Sequence, residues 1–109
     1  MKIHCPCGAI ISDSTDGLPR KGRIIPDQEW IPLGNALEKV IDDAMSRRME
    51  AEAAFMQVHI LLGDASRFVY QCRDCGQLFV NDRQHKTHIF TPSSDETGKE
   101  ILRSRADQV

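Results

Sequence analysis

The sequence predicts an α+β fold in which small β-hairpins at the two ends of the chain are pinned to each other, with one long helix inserted between them. Three observations predict it. Two cysteine turns, Cys5-Pro6-Cys7-Gly8 and Cys72-Arg73-Asp74-Cys75-Gly76, stand far apart in the chain, and each lies between short apolar runs. The stretch 33–62 holds no proline and a single glycine, Gly34. Arg67 to Cys72 and Gln77 to Val80 are β-rich and flank the second turn. At 109 residues, 40% hydrophobic and 28% charged, the chain has the size of one domain with a modest core. A core that small gains from a covalent or metal staple.

Taken in order, Met1 to Ser12 reads as two short strands around a tight turn in which Gly8 is free to take positive φ. Asp13 to Leu33 is punctuated by Gly17, Pro19, Gly22, Pro26 and Pro32, and reads as an ordered loop with a strand at Arg23 to Ile25. Pro32 is placed to open a helix, and Gly63 to close it. Leu37, Val40, Ile41, Ala44, Ala51, Phe55, Val58 and Leu62 recur at helical spacing, interrupted by Arg47 and Arg48. A helix of about 28 residues would reach about 42 Å, more than the diameter expected of the domain. Its second half, Ala53 to Leu62, is apolar nearly all round. A homodimer contact through this helix is the expectation, and a break at the arginines that folds the helix back is the competing one.

Arg67 to Cys72 and Gln77 to Val80 then form a hairpin, with a third strand at Thr87 to Thr91 and a short helix around Glu100 to Arg105. The expected organisation is one domain over 1–92, with the helical insertion at about 33–62, and a polar, flexible tail over 93–109.

The chemistry is concentrated in the cysteines. A C-x-x-C-G turn lets two thiolates converge on one tetrahedral ion at about 2.3 Å. Cys5-Pro-Cys7-Gly carries the same following glycine with one residue fewer between the sulfurs. Taken together, Cys5, Cys7, Cys72 and Cys75 are expected to bind one structural Zn2+. The chain has no apolar run long enough to span a membrane and no secretory h-region at its start, so a cytoplasmic location is expected, where thiols stay reduced and serve metals. Sixty-four residues separate Cys7 from Cys72. Closing that loop costs roughly 4 kcal/mol before constants, well below the roughly 10–16 kcal/mol that structural zinc supplies.

The paired turns resemble those of the zinc-ribbon and rubredoxin-like group, in which two such knuckles share one metal. The resemblance covers Ile3 to Ala9 and Tyr70 to Val80 and implies a closed, non-catalytic site. The first turn departs from the group's spacing, which leaves His4 open as an alternative to Cys7. Cys5 to Trp30 also resembles the start of small uncharacterised bacterial proteins, which implies no function.

Cys72, Cys75, His85 and His88 invite comparison with the Cys-Cys-His-His finger, but nine residues separate Cys75 from His85 where about twelve are needed. His59 reads as a core or interface residue, and Asp42, Asp43, Glu50 and Glu52 as solvated helix faces. Ser12, Asp13, Ser14, Thr15 and Asp16 have the vocabulary of a turn rather than of a catalytic set. Four thiolates leave no open position on zinc, so no enzyme activity is expected. The expected function is a protein-interaction module, in one version a bacterial immunity protein that binds and neutralises a toxin. The alternative is a nucleic-acid-binding or transcription-associated zinc protein using Arg20, Lys21, Arg23, Arg67, Arg73, Arg83 and Lys86. The net charge of −2 argues against it.

Overall fold

A computed structural model of the protein describes residues 2–12, 18–94 and 98–104. Its elements are β1 (Lys2–His4), β2 (Ile10–Ser12), β3 (Lys21–Ile24), α1 (Asp27–Met45), α2 (Ala51–Ala65), β4 (Arg67–Gln71), β5 (Leu78–Asn81) and β6 (Thr87–Phe90). The fold is α+β, as the sequence predicts. β1 and β2 form one sheet, and the other has the order β3-β4-β5-β6. The chain divides into two compact units, one made of Met1–Arg23 with Phe68–Val109 and the other of Ile24–Arg67. The predicted polar cluster around Asp13, Ser14, Thr15 and Asp16 lies outside the described residues, as does Arg105.

The first unit is built on strand alternation. Ile3 faces Ile11 across the β1–β2 pair, and Ile11 is buried while its neighbours Ile10 and Ser12 are exposed. β4 pairs antiparallel with β5, setting Tyr70 opposite Phe79, and the two rings are 1% and 2% exposed. Phe68, two residues before Tyr70 and on the same face, stacks on it at 5.9 Å. Tyr70 and Phe79 join Cys5, Ile11 and Cys72 in one buried cluster, so this core and the cysteine turns are the same region. The third predicted strand is β6, antiparallel to β5 and exposed throughout.

The opposite face of β4 carries Gln71, which is fully buried. Its amide is satisfied from far along the chain. Nε2 donates to the carbonyls of Gly98, at 2.9 Å, and Gly76, at 3.2 Å, and Oε1 accepts from the Ile101 amide at 3.0 Å. One side chain thus ties Gly98 and Ile101 to the second cysteine turn. At Glu100 to Arg103 the chain makes a turn, with the Arg103 amide donating to the Glu100 carbonyl at 3.1 Å, and not the short helix expected.

The second unit corrects the expectation of one long helix. Asp27–Met45 and Ala51–Ala65 are separate helices packed on each other, so the chain breaks at the arginines and folds back. The end of α1 is closed by its backbone. Arg47 takes the left-handed conformation at φ 62°, its amide donates to Ala44, and the Arg48 amide donates to Asp43 at 2.8 Å. Arg48 Nε also meets the Asp43 carboxylate at 3.2 Å. Pro32 does not open the helix but lies inside α1, which starts behind Pro26 with Asp27 and Glu29 in its first turn, where acidic groups suit the helix dipole. Gly63 likewise falls inside α2, which ends at Ser66.

An arginine at a left-handed helix end carries a steric penalty of about 1 kcal/mol that glycine escapes. Arg47→Gly is therefore expected to raise stability by about 1 kcal/mol, and Arg47→Val to lower it, read from urea midpoints at constant m-value.

Candidate metal centre

Each cysteine turn is shaped by the same pair of backbone bonds. In the first, the Gly8 amide donates to the Cys5 carbonyl at 2.9 Å and the Cys5 amide to the Ala9 carbonyl at 2.9 Å. In the second, the Gly76 amide donates to the Cys72 carbonyl at 2.8 Å and the Cys72 amide to the Gln77 carbonyl at 2.9 Å. The first turn is thus the second with one residue removed. Gly8 and Gly76 occupy the equivalent left-handed position, at φ 100° and 80°.

The turns bring all four cysteines singled out by spacing to one point. Their sulfurs lie within 4.8 Å of one another, with Cys5 Sγ 3.4 Å from Cys75 Sγ and Cys7 Sγ 3.6 Å from Cys72 Sγ. A tetrahedron of sulfurs at about 2.3 Å from a central ion has edges of about 3.8 Å. The cluster therefore has the dimensions of a four-sulfur metal site and can hold a metal ion. Among the described residues the group that gathers here is Cys5, Cys7, Cys72 and Cys75, without a histidine. Cys5 and Cys72 are buried, Cys75 is half-buried and Cys7 faces solvent.

Backbone amides of the turns point at the sulfurs, and the thiols differ accordingly. Burial works to raise the Cys72 thiol, but the amides of Cys75 and Asp74 outweigh it and bring the thiol down to about 7. At Cys5 burial prevails over the Cys7 amide and pushes the thiol up to about 12. At Cys75 the Gln77 amide draws the thiol down, yet burial and the Cys72 and Cys7 thiols leave it raised. A metal ion taken up at neutral pH must therefore displace protons from Cys5 and Cys75. Gln77 supports the site from its rim, where Oε1 accepts from Cys5 Sγ at 3.2 Å and Nε2 donates to Thr91 Oγ1 at 3.1 Å.

The histidines of the finger comparison are elsewhere. His85 sits in the β5–β6 turn at φ 64°, and His88 lies on β6, where a finger needs a helix. Asp82 organises that turn. Its Oδ1 accepts from the Gln84 and Lys86 amides at 2.8 and 3.0 Å, and its Oδ2 is 2.9 Å from His88 Nε2.

Sequence reasoning missed two features. Gln71 and Gln77 gave no signal because their partners are set by the tertiary fold. A cavity of about 380 Å³ beside the second turn, lined in part by Arg20, Lys21, Tyr70, Cys72, Arg73 and Asp74, gathers three of the predicted basic residues. Lys21 and Arg23 also lie over the Phe68 ring at 4.8 and 4.5 Å. No helix among the described residues is long and apolar enough to cross a membrane.

Residues 1–94 match a protein family described as a domain of unknown function, DUF8617. No curated protein and no solved structure matches the chain.

Two predictions follow from this geometry. Gly8→Ala and Gly76→Ala each force an L side chain into the left-handed region, at about 1–2 kcal/mol. A Cβ at Gly76 would also stand 3.2 Å from Pro92 Cγ, while one at Gly8 meets open space. Gly76→Ala is expected to weaken metal retention and thermal stability more than Gly8→Ala, by chelator competition and melting. For Asp82, the His88 hydrogen bond and then the Lys86 amide hold the carboxyl down at about 2, below its ordinary 3.8. A depressed carboxyl stabilises the folded turn above the unfolded value and loses that contribution as pH falls from about 4 to about 2. Amide protection factors in the β5–β6 turn, taken against the intrinsic rate at each pH, are expected to fall over that window, and Asp82→Asn to flatten the response.

Proposed function

From a chain that belongs to the DUF8617 family, we propose a zinc-stabilised, non-enzymatic protein-interaction module: the metal holds the β unit together, and the helical hairpin meets a protein partner. Zinc suits four thiols because it is borderline-soft and has no geometric preference of its own to violate. Two such turns on separate hairpins correspond to a zinc-ribbon-like arrangement with the helices inserted between the knuckles. Zinc filled by four sulfurs keeps no position for water, so its contribution is structural.

The observation that carries the interaction reading is the surface of the hairpin. Met45 and Phe55, which line one groove, and Met56, Trp30 and Ile31 are all more than half exposed, and large apolar side chains left open in groups mark interaction surfaces. A second reading, nucleic-acid binding, is favoured by the basic cavity at Arg20, Lys21 and Arg73. Heparin retention that falls with salt and is lost in Arg20→Glu with Arg73→Glu supports that reading, and unchanged elution removes it.

Cobalt substitution tests the metal half. One equivalent of Co2+ is expected to give the intense charge-transfer and ligand-field bands of a tetrahedral four-thiolate site, weakened to a mixed-ligand spectrum in Cys7→Ser. A six-coordinate spectrum overturns it. The interaction half is tested with the full zinc-loaded chain as bait, compared with Phe55→Glu and Arg83→Glu. A partner lost with the first and kept with the second is the expected result. Partners indifferent to Phe55 place the interaction elsewhere.

A further inference from the structure

We propose that the surface of the helical hairpin is closed by a second copy of this chain, two hairpins forming a four-helix bundle. The inference rests on the interaction reading and names its partner.

Around α2, at 100° per residue, Leu62, Phe55, His59, Met56 and Ile60 lie within an arc of about 160°, which also carries Glu52 in the first turn of the helix. All five are exposed. Ala54, Val58 and Ala65, on another side of the helix, are buried or half-buried, and α2 packs on α1. α2 thus carries apolar side chains both where it is buried and on an exposed arc. An apolar arc of that width calls for cover, and two helices are one layer short of supplying it.

The open surface continues onto α1. Ile41, Met45 and Phe55 line a shared apolar groove of about 300 Å³ between the helices. Its floor is built in part from Ala44, Ala51 and Ala54, small side chains that let another helix approach closely.

The area decides which partner fits. Ile41, Met45, Phe55, Met56, Ile60 and Leu62 are between 40% and 79% exposed. With full areas of about 200–240 Å² each, they leave roughly 750 Å² open per chain, close to the roughly 800 Å² per partner of a standard interface. The composition points the same way. Homodimer cores are more apolar and poorer in charge than those of transient partners, and between Ala53 and Gly63 there is no acidic or basic side chain apart from His59. Acidic residues, Glu50, Glu52 and Asp64, stand only at the two ends of this stretch. A surface without charged anchors does not select a partner by electrostatic complementarity, whereas a two-fold axis makes an apolar patch its own complement.

Sedimentation equilibrium of the full zinc-loaded chain is expected to give twice the 12.3 kDa chain mass, with dissociation on dilution. Phe55→Glu and Ile60→Glu, both at exposed positions, are expected to raise the dissociation constant at least about 100-fold, because each buries an unpaired charge twice across the axis. Far-ultraviolet circular dichroism and the cobalt spectrum should stay unchanged, which separates lost assembly from lost fold. A concentration-independent monomer overturns the proposal, as does a dimer indifferent to both variants. A monomer whose bait still captures a partner through Phe55 leaves the interaction reading standing and removes only self-association. A monomer that captures nothing through Phe55 removes both.

Discussion

The buried sulfurs and the hydrophobic core of the β unit are one object. Cys5 and Cys72 lie in the same cluster as Ile11, Tyr70 and Phe79, and β1–β2 contributes only three residues per strand. A two-stranded sheet of that size has no independent stability in water. Its turn carries two sulfurs to a point where the turn after β4 presents two more. Thiols brought so close repel when ionised, and burial keeps the Cys5 proton on. A cation bound there would remove both problems and would then be part of the core.

What was legible in the sequence follows from which signals are local. The cysteine turns were legible because two sulfurs, a following glycine and flanking alternation all lie within a few residues, and the β4–β5 hairpin and β6 for the same reason. The helix break was not. Its left-handed residue is Arg47, where glycine is the usual signal, and the closure is made by backbone bonds to Asp43 and Ala44 that no side chain announces. Pro32 and Gly63 misled in the opposite way, since both carry terminal signals yet sit inside helices that packing sustains. Gln71 was illegible because its partners, Gly98 and Ile101, come from a segment whose composition reads as loose.

The apolar character of the second helix was read correctly, but its cause differs from the one the sequence implied. A single helix would have overhung the domain and needed a partner for its length. Two helices remove the overhang and leave a different deficit, since a pair can bury only the strip along which it touches. Leu33 and Val40 of α1 and Ala54 and Ala65 of α2 are the side chains the two helices bury. Phe55, Met56 and Ile60 are left outside it by helical periodicity alone, whatever the length of the helix.

The position of the helices in the chain explains why the metal site tolerates them. The unit Ile24–Arg67 departs from β3 and returns into β4, and these strands are neighbours in one sheet, with the Gln71 amide donating to the Arg20 carbonyl at 2.8 Å. Once they pair, the helices are excluded from the loop that joins the two cysteine turns. That loop shrinks from the 64 residues between Cys7 and Cys72 to little more than residues 8–19. By the logarithmic law its closure falls from roughly 4 to roughly 2 kcal/mol. Strand pairing and the gathering of the four cysteines therefore favour each other, because each shortens the loop the other must close. The length and sequence of the helical insertion drop out of that balance, and its outer surface is left to be shaped by whatever it meets.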